Sequence, residues 1–207
     1  MEHAVKADPV QAKSKYHHGD LREALVQASY DLVAVHGAEN FTLAEACRLA
    51  GVSTAAPYKH FKDRDEVLGL IVTRGFDRMS EQSMRAVEAA GVGTLAGIVA
   101  MGRAYVDFAV ANEKLFRLMF GQHPAIKSDE EVIGEGMGCF SKVIAQVAIY
   151  CERNGVPGNP DELAVRLWTF VHGAASLLID GDYGIVAPDL DVDALIEGAA
   201  PRLLSQG

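Results

Sequence analysis

The sequence predicts an all-α protein of about nine helices, a small three-helix head followed by a larger helical body. Three observations carry that reading. Apolar residues recur at spacings of three and four, strand-like alternation is missing, and Gly or Pro falls between stretches of helix length.

The first pattern places Leu21, Ala24, Leu25, Ala28, Leu32 and Val35 on one face, with Asp20 and Glu23 as a capping-box-like start and Gly37 as the stop. Thr42 with Glu45 forms a Thr-x-x-Glu box for a second helix whose Leu43, Ala46, Cys47 and Ala50 face inward. A third short helix is expected from about Thr54 to His60. If Thr54 caps it, Pro57 is its third residue, where the missing N–H has no partner to lose.

Asp63 with Glu66 then opens a long helix carrying Val67, Leu68, Ile71, Val72, Phe76, Met79 and Val87. Gly91 and Gly93 interrupt, and two further helices follow over Leu95–Ala111 and Glu113–Phe120. Residues Gly121 to Lys127 read as a loop. Ser128 with Glu131 caps a seventh helix, Asn159-Pro160 places a cap and a first-turn proline before an eighth, and Asp191 or Asp193 opens a ninth.

At 207 residues the chain is long enough for a sizeable buried core. No uninterrupted apolar run approaches the roughly 18 residues of a membrane span, and Met1 to Lys15 has no apolar signal-like segment. A cytoplasmic location with no membrane partner is therefore expected. Cys47, Cys139 and Cys151 lack CxxC spacing and read as reduced, structural thiols. The formal net charge of −9 opposes a globally basic nucleic-acid footprint. Yet Thr42 to Arg64 holds four basic residues (Arg48, Lys59, Lys62, Arg64) against two acidic ones (Glu45, Asp63). A local patch of this kind suffices, because salt screens the acidic remainder within about 10 Å.

Two short helices hinged at Gly51-Val52-Ser53, the second bearing hydroxyl and basic groups, describe a helix-turn-helix. Thr42 and Ser53 stand where free N–H groups and a hydroxyl hold phosphate. Thr54, Ala55 and Ala56 fall at the end that enters a major groove, where small side chains permit close approach. Lys59 reaches base edges or phosphate, and Tyr58, His60 and Lys62 grip the sugar-phosphate backbone.

The segment Phe41-Thr-Leu-x-Glu-x-x-x-x-Ala-Gly-Val-Ser-x-x-x-x-Tyr-x-His-Phe-Lys-Asp63 resembles the DNA-binding head of the TetR family of transcriptional repressors. The likeness covers about residues 16 to 70. Tyr16-His-His-Gly-Asp-Leu21, Ala56-Pro57-Tyr58 and Leu167-Trp-Thr-Phe-Val-His-Gly173 resemble a branch with a Trp-His-Gly type C-terminal domain. The resemblance implies backbone contacts from Thr42, Ser53, Tyr58, His60 and Lys62. It implies base contacts from Thr54, Ala55 and Lys59, with Ala56 close to the groove. It further implies a homodimer through the last two long helices, a palindromic double-stranded operator and release by a small-molecule effector. The expected division is a flexible arm over 1–15, a helix-turn-helix domain over 16–64 and an effector-binding and dimerisation domain over 65–207.

In the body, Met101, Tyr105, Phe108, Phe116, Phe120, Met137, Trp168 and His172 are the candidate effector-pocket residues, because pockets in helical bundles are apolar with a few polar groups. Gly134, Gly136 and Gly138 sit within a helical pattern and suit a close helix crossing or a kink. No metal site is expected: His17-His18 is adjacent rather than at i, i+4 spacing. Asp189-x-Asp191-x-Asp193 lacks the glycine and the final glutamate of a calcium loop. No catalytic motif appears, so neither an enzyme nor a cofactor is expected. The residues leave two other readings open: an activator of the same fold, and a helical small-molecule-binding protein without an operator.

Overall fold

The computed structural model describes residues 18–205 apart from Ala56, with side chains from Leu21 onward. The expected arm over 1–15, His17 and the side chains of His18 to Asp20 lie outside the described residues. Among those described there are ten α-helices and no strand: α1 (His18–His36), α2 (Leu43–Leu49), α3 (Arg64–Ala90), α4 (Leu95–Ala111), α5 (Glu113–Phe120), α6 (Pro124–Lys127), α7 (Glu130–Asn154), α8 (Pro160–Ile179), α9 (Asp182–Val186) and α10 (Val192–Leu204).

Most boundaries follow the caps. Thr42 Oγ1 accepts from the N–H of Glu45 at 3.3 Å and donates to the Glu45 carboxylate at 2.9 Å. Asp63 accepts from the N–H of Glu66 at 2.9 Å, while the Glu66 carboxylate receives the N–H of Lys62 at 2.6 Å. That reciprocal box stabilises the start of α3 by about 1 kcal/mol per cap. Asn159 and Asp191 cap α8 and α10 in the same way.

Four boundaries differ from expectation. The chain is already helical at His18, so Asp20 lies inside α1 and not ahead of it, and Glu23 pairs with Arg74 at 2.6 Å. The third helix is no α-helix from Thr54 to His60 but a single 3-10 turn over Pro57–Lys59. Pro57 is its first residue, not its third. The proline ring presets φ for a first helical position, which suits Pro57 to open the turn. Residues 124–127 wind into α6, because Pro124 is preset for a first turn. Ser128 closes α6, and Asp129 rather than Ser128 caps α7, accepting from Glu131 and Val132.

The long helix α3 runs through the molecule and packs against α1, α4, α5, α6 and α7. Val67, Leu68, Ile71, Val72, Met79 and Val87 on it are buried, as their spacing predicts. On α1 the buried set is Leu25, Val26, Ala28, Ser29, Tyr30 and Val33, whereas Val35 faces outward. Helices α3 and α5 touch at Gly75, where an added Cβ would stand 2.7 Å from the Met119 sulfur.

Helices α7 and α8 contain 18-residue stretches long and apolar enough, by length and composition alone, to cross a membrane, which the uninterrupted-run criterion did not register. In the fold Val147, Leu163, Ala164 and Ala175 of these helices are buried in the core, and Phe140, Val143, Leu167 and Val171 line a cavity.

Candidate nucleic-acid interface and internal cavity

The head is α1, α2, the Pro57–Lys59 turn and the start of α3. Gly51, at φ +70°, adopts the left-handed conformation that glycine takes without steric cost and reverses the chain after α2. Buried Pro57 anchors the following turn, its carbonyl accepting from the N–H groups of His60 and Phe61 at 2.8 Å each. Phe61 is buried beneath the guanidinium of Arg22, 5.3 Å from its ring centre. Thus the turn is short but fixed at both ends.

This frame presents Thr42, Ser53, Thr54, Ala55, Tyr58, Lys59 and Lys62 at the surface. Tyr58 is 72% exposed, a large aromatic kept in water with no burial to explain it. Ser53 Oγ accepts from the N–H of Ala55 at 3.3 Å, ordering the backbone just before the turn. Lys62 is open apart from a loose pairing with Asp63 at 3.9 Å, and His60 is half-buried against Phe61. Ala56 lies outside the described residues.

Arg64, counted by sequence into the basic patch, turns inward. Its Nε donates to the carbonyl of Phe41 at 3.4 Å, and one terminal guanidinium nitrogen donates to the carbonyl of Ala38. The outward cations are therefore Arg48, Lys59 and Lys62, with Arg48 loosely paired to Glu45 at 3.6 Å.

Within the body, side chains of α3, α4, α5, α6, α7, α8 and α10 line a cavity of about 460 Å³. Met101, Tyr105, Phe120, Met137 and Trp168 line it. Phe108, Phe116 and His172 do not: the two phenylalanines are buried in packing, and His172 stands behind the wall. Its ring lies 4.9 Å from that of Phe120 and 5.4 Å from that of Phe116. The wall itself is hydrogen-bonded. Trp168 Nε1 donates to the Tyr105 hydroxyl at 3.3 Å, and that hydroxyl lies 2.8 Å from His172 Nδ1. The phenol oxygen accepts from Trp168, and its own proton is available to a neutral His172 whose Nδ1 is unprotonated. Burial, and next the charge of Lys127, lower the basicity of His172 and keep it in that neutral form. Burial likewise raises the Tyr105 pKa, so the phenol stays protonated.

Lining residues that the sequence did not single out include Ser80, Ser83, Lys127 and Cys139. Nothing in the spacing marked Lys127, since the segment that carries it reads as a loop. Ser80 accepts from the Lys142 ammonium at 2.9 Å, and burial pushes the Cys139 thiol pKa up, so it is no ready nucleophile.

The model of the tetracyclin repressor-like C-terminal domain matches residues 98–202, and the fold of the whole chain agrees with it. The chain belongs to the TetR family. A solved structure of a protein of unknown function from Rhodococcus sp. RHA1 is 30% identical, with a TM-score of 0.78 over 93% of this chain and 97% of that one. A TetR family transcription regulator from Marinobacter aquaeolei VT8 shares the fold at 16% identity and a TM-score of 0.63, over 89% of this chain and 93% of its own. A TetR-family transcriptional regulator from Streptomyces coelicolor does so at 14% identity and a TM-score of 0.65, over 89% and 79%. No curated protein matches the chain in sequence. As a TetR-family member it is a helix-turn-helix DNA-binding regulator of transcription.

Proposed function

We propose that this TetR-family regulator is a dimeric, cytoplasmic repressor that binds a palindromic operator and leaves it when a small molecule enters the body cavity. The observation that carries the reading is the head surface. Thr54, Ala55, Tyr58, Lys59 and Lys62 are all exposed on a frame whose apolar residues are buried beneath them. In this reading Thr42, Ser53, Tyr58, His60 and Lys62 hold phosphates, and Thr54, Ala55 and Lys59 read bases, with Ala56 near the groove.

The last two long helices, α7 and α8, support a dimer. On α7, Gly134, Gly138, Ser141 and Ala145 recur at spacings of four, three and four and all are exposed, Ser141 also bordering the cavity. On α8, exposed Thr169 and half-buried Gly173 and Ser176 form a second row of small residues. A Cβ added at Gly134, Gly138 or Gly173 would meet nothing within 4 Å, so these glycines are not required by packing inside one chain. Helix-interior glycines cost about 1 kcal/mol each relative to alanine. Close approach of a second copy explains their presence.

The cavity and the head are joined mechanically. Lys114 on α5 donates to the carbonyl of Val35 near the end of α1 at 2.6 Å, and His123, next to α6, faces Asp65 of α3 at 3.8 Å. A ligand that favours one placement of α5 and α6 would shift the population of head spacings. Two heads must sit about 34 Å apart, one turn of DNA, to share a palindrome.

Anisotropy titration of the chain against its own upstream DNA tests the reading. Salt-sensitive, sequence-selective binding is expected, and its absence would refute the operator. An activator of the same fold would give the same binding but raise transcription from a reporter.

A further inference from the structure

The cavity has one charged group and a direction. Among the described residues Lys127 is the only charged side chain lining it, and no carboxylate does so. Among the described residues the Lys127 ammonium has no ion-pair partner. The neighbouring polar atoms are already engaged, since Trp168 and Tyr105 bond one another and the Tyr105 hydroxyl is met by His172. Lys127 therefore supplies the free donor at that end, and its charge reaches far enough inward to lower the basicity of His172.

The opposite end is formed by Ile196, Ala200 and Leu203 of α10. Helix α6, which carries Lys127, lies beside the start of α3, where His123 faces Asp65 and Asp129 stands against Gly69, whereas Ile196 of α10 packs at Gly102, on the stretch of α4 whose Ala104 carbonyl accepts from Gln82 far along α3. The space between them is thus elongated, with a cation at one end and aliphatic side chains at the other. An organic cation finds no carboxylate there, and a compact polar molecule leaves most of the wall unmatched.

We infer that the cavity takes an amphipathic organic anion, its carboxylate against the Lys127 ammonium and its apolar chain running toward Ile196 and Leu203. This rests on the reading of the cavity as the effector site and names the chemistry that site selects. A carboxylate–ammonium hydrogen bond is charge-assisted, so it discriminates by charge sign as well as by shape.

The test compares dodecanoate, dodecanol and dodecyltrimethylammonium, each below its micelle concentration, by calorimetry on the full chain and on Lys127→Met and Lys127→Glu. Lys127 is exposed, so both variants are expected to fold. The expected order is dodecanoate over dodecanol by about tenfold, with the ammonium weakest. Lys127→Met should erase the dodecanoate advantage while leaving dodecanol unchanged, and Lys127→Glu should favour the ammonium. Dodecanol binding as tightly as dodecanoate, or a dodecanoate advantage that survives Lys127→Met, overturns the inference and leaves the cavity reading intact. Failure of all three amphiphiles to bind overturns both.

Discussion

Arg64 lies against Phe41, its guanidinium carbon 5.8 Å from the ring centre, and donates to the Phe41 carbonyl at 3.4 Å. With the further bond to the Ala38 carbonyl, the first residue of α3 ties the body to the loop between α1 and α2. Removing this donor strands the Phe41 carbonyl and leaves the Ala38 carbonyl with only the N–H of Phe41. Arg64→Met should cost about 1–3 kcal/mol and lower the melting temperature by several degrees. Because Arg64 faces inward, the slope of operator affinity against salt should not change. A slope reduced by about one would mean that Arg64 meets phosphate after all.

Lys62 and Tyr58 belong to the opposite class, solvent-facing and outside the core. Lys62→Ala should weaken operator and random DNA alike and reduce the salt slope by about one. Tyr58→Phe should also weaken all sequences roughly equally, without the change in slope. Lys59→Ala should instead alter preference between operator variants, by about 1–3 kcal/mol at one position. Competition anisotropy with single-base operator changes reads the difference, and equal losses on specific and random DNA for all three would contradict these roles.

The caps and the apolar spacing made most of the fold legible. Thr42 with Glu45, Asp63 with Glu66 and Asn159-Pro160 open helices where the sequence places them, because each is a local contact between near neighbours. Long-range contacts were not legible. The inward turn of Arg64 depends on carbonyls 23 and 26 residues away, and a basic residue beside Lys62 gives no sign of it. The same holds for the cavity: Phe116 and Trp168 carry the same aromatic signal, yet the first is buried in packing and the second lines the space. Only the crossing of α4, α5 and α8 separates them.

His172 couples the cavity wall to pH. Burial holds its folded-state pKa below the usual value of about 6.5, so above that pH both folded and unfolded chains carry it neutral. As pH falls below about 6.5 the unfolded chain takes up the proton first, and stability declines down through the folded-state pKa. Urea unfolding at pH 7.5, 6.5 and 5.5 should show that decline, and His172→Gln should flatten it. Parallel pH profiles for the two proteins would show that His172 is not the titrating group.

The glycines of the two small-residue rows permit a test of the dimer that leaves the monomer's interior untouched. Gly138 and Gly173 each have open space where a side chain would stand, so leucine at either position is accommodated within one chain and improves helix propensity. Between two copies the same leucine holds the helices apart. Gly138→Leu and Gly173→Leu should therefore keep full helical content and a normal melting profile at low concentration, yet sediment as monomers. Operator affinity should fall by about a hundredfold or more, since each head then binds without the effective concentration supplied by its partner. Gly138→Ala, in contrast, should raise helix stability by about 0.5–1 kcal/mol while weakening the dimer only slightly. Leucine variants that remain dimeric would place the interface on some other face of the molecule.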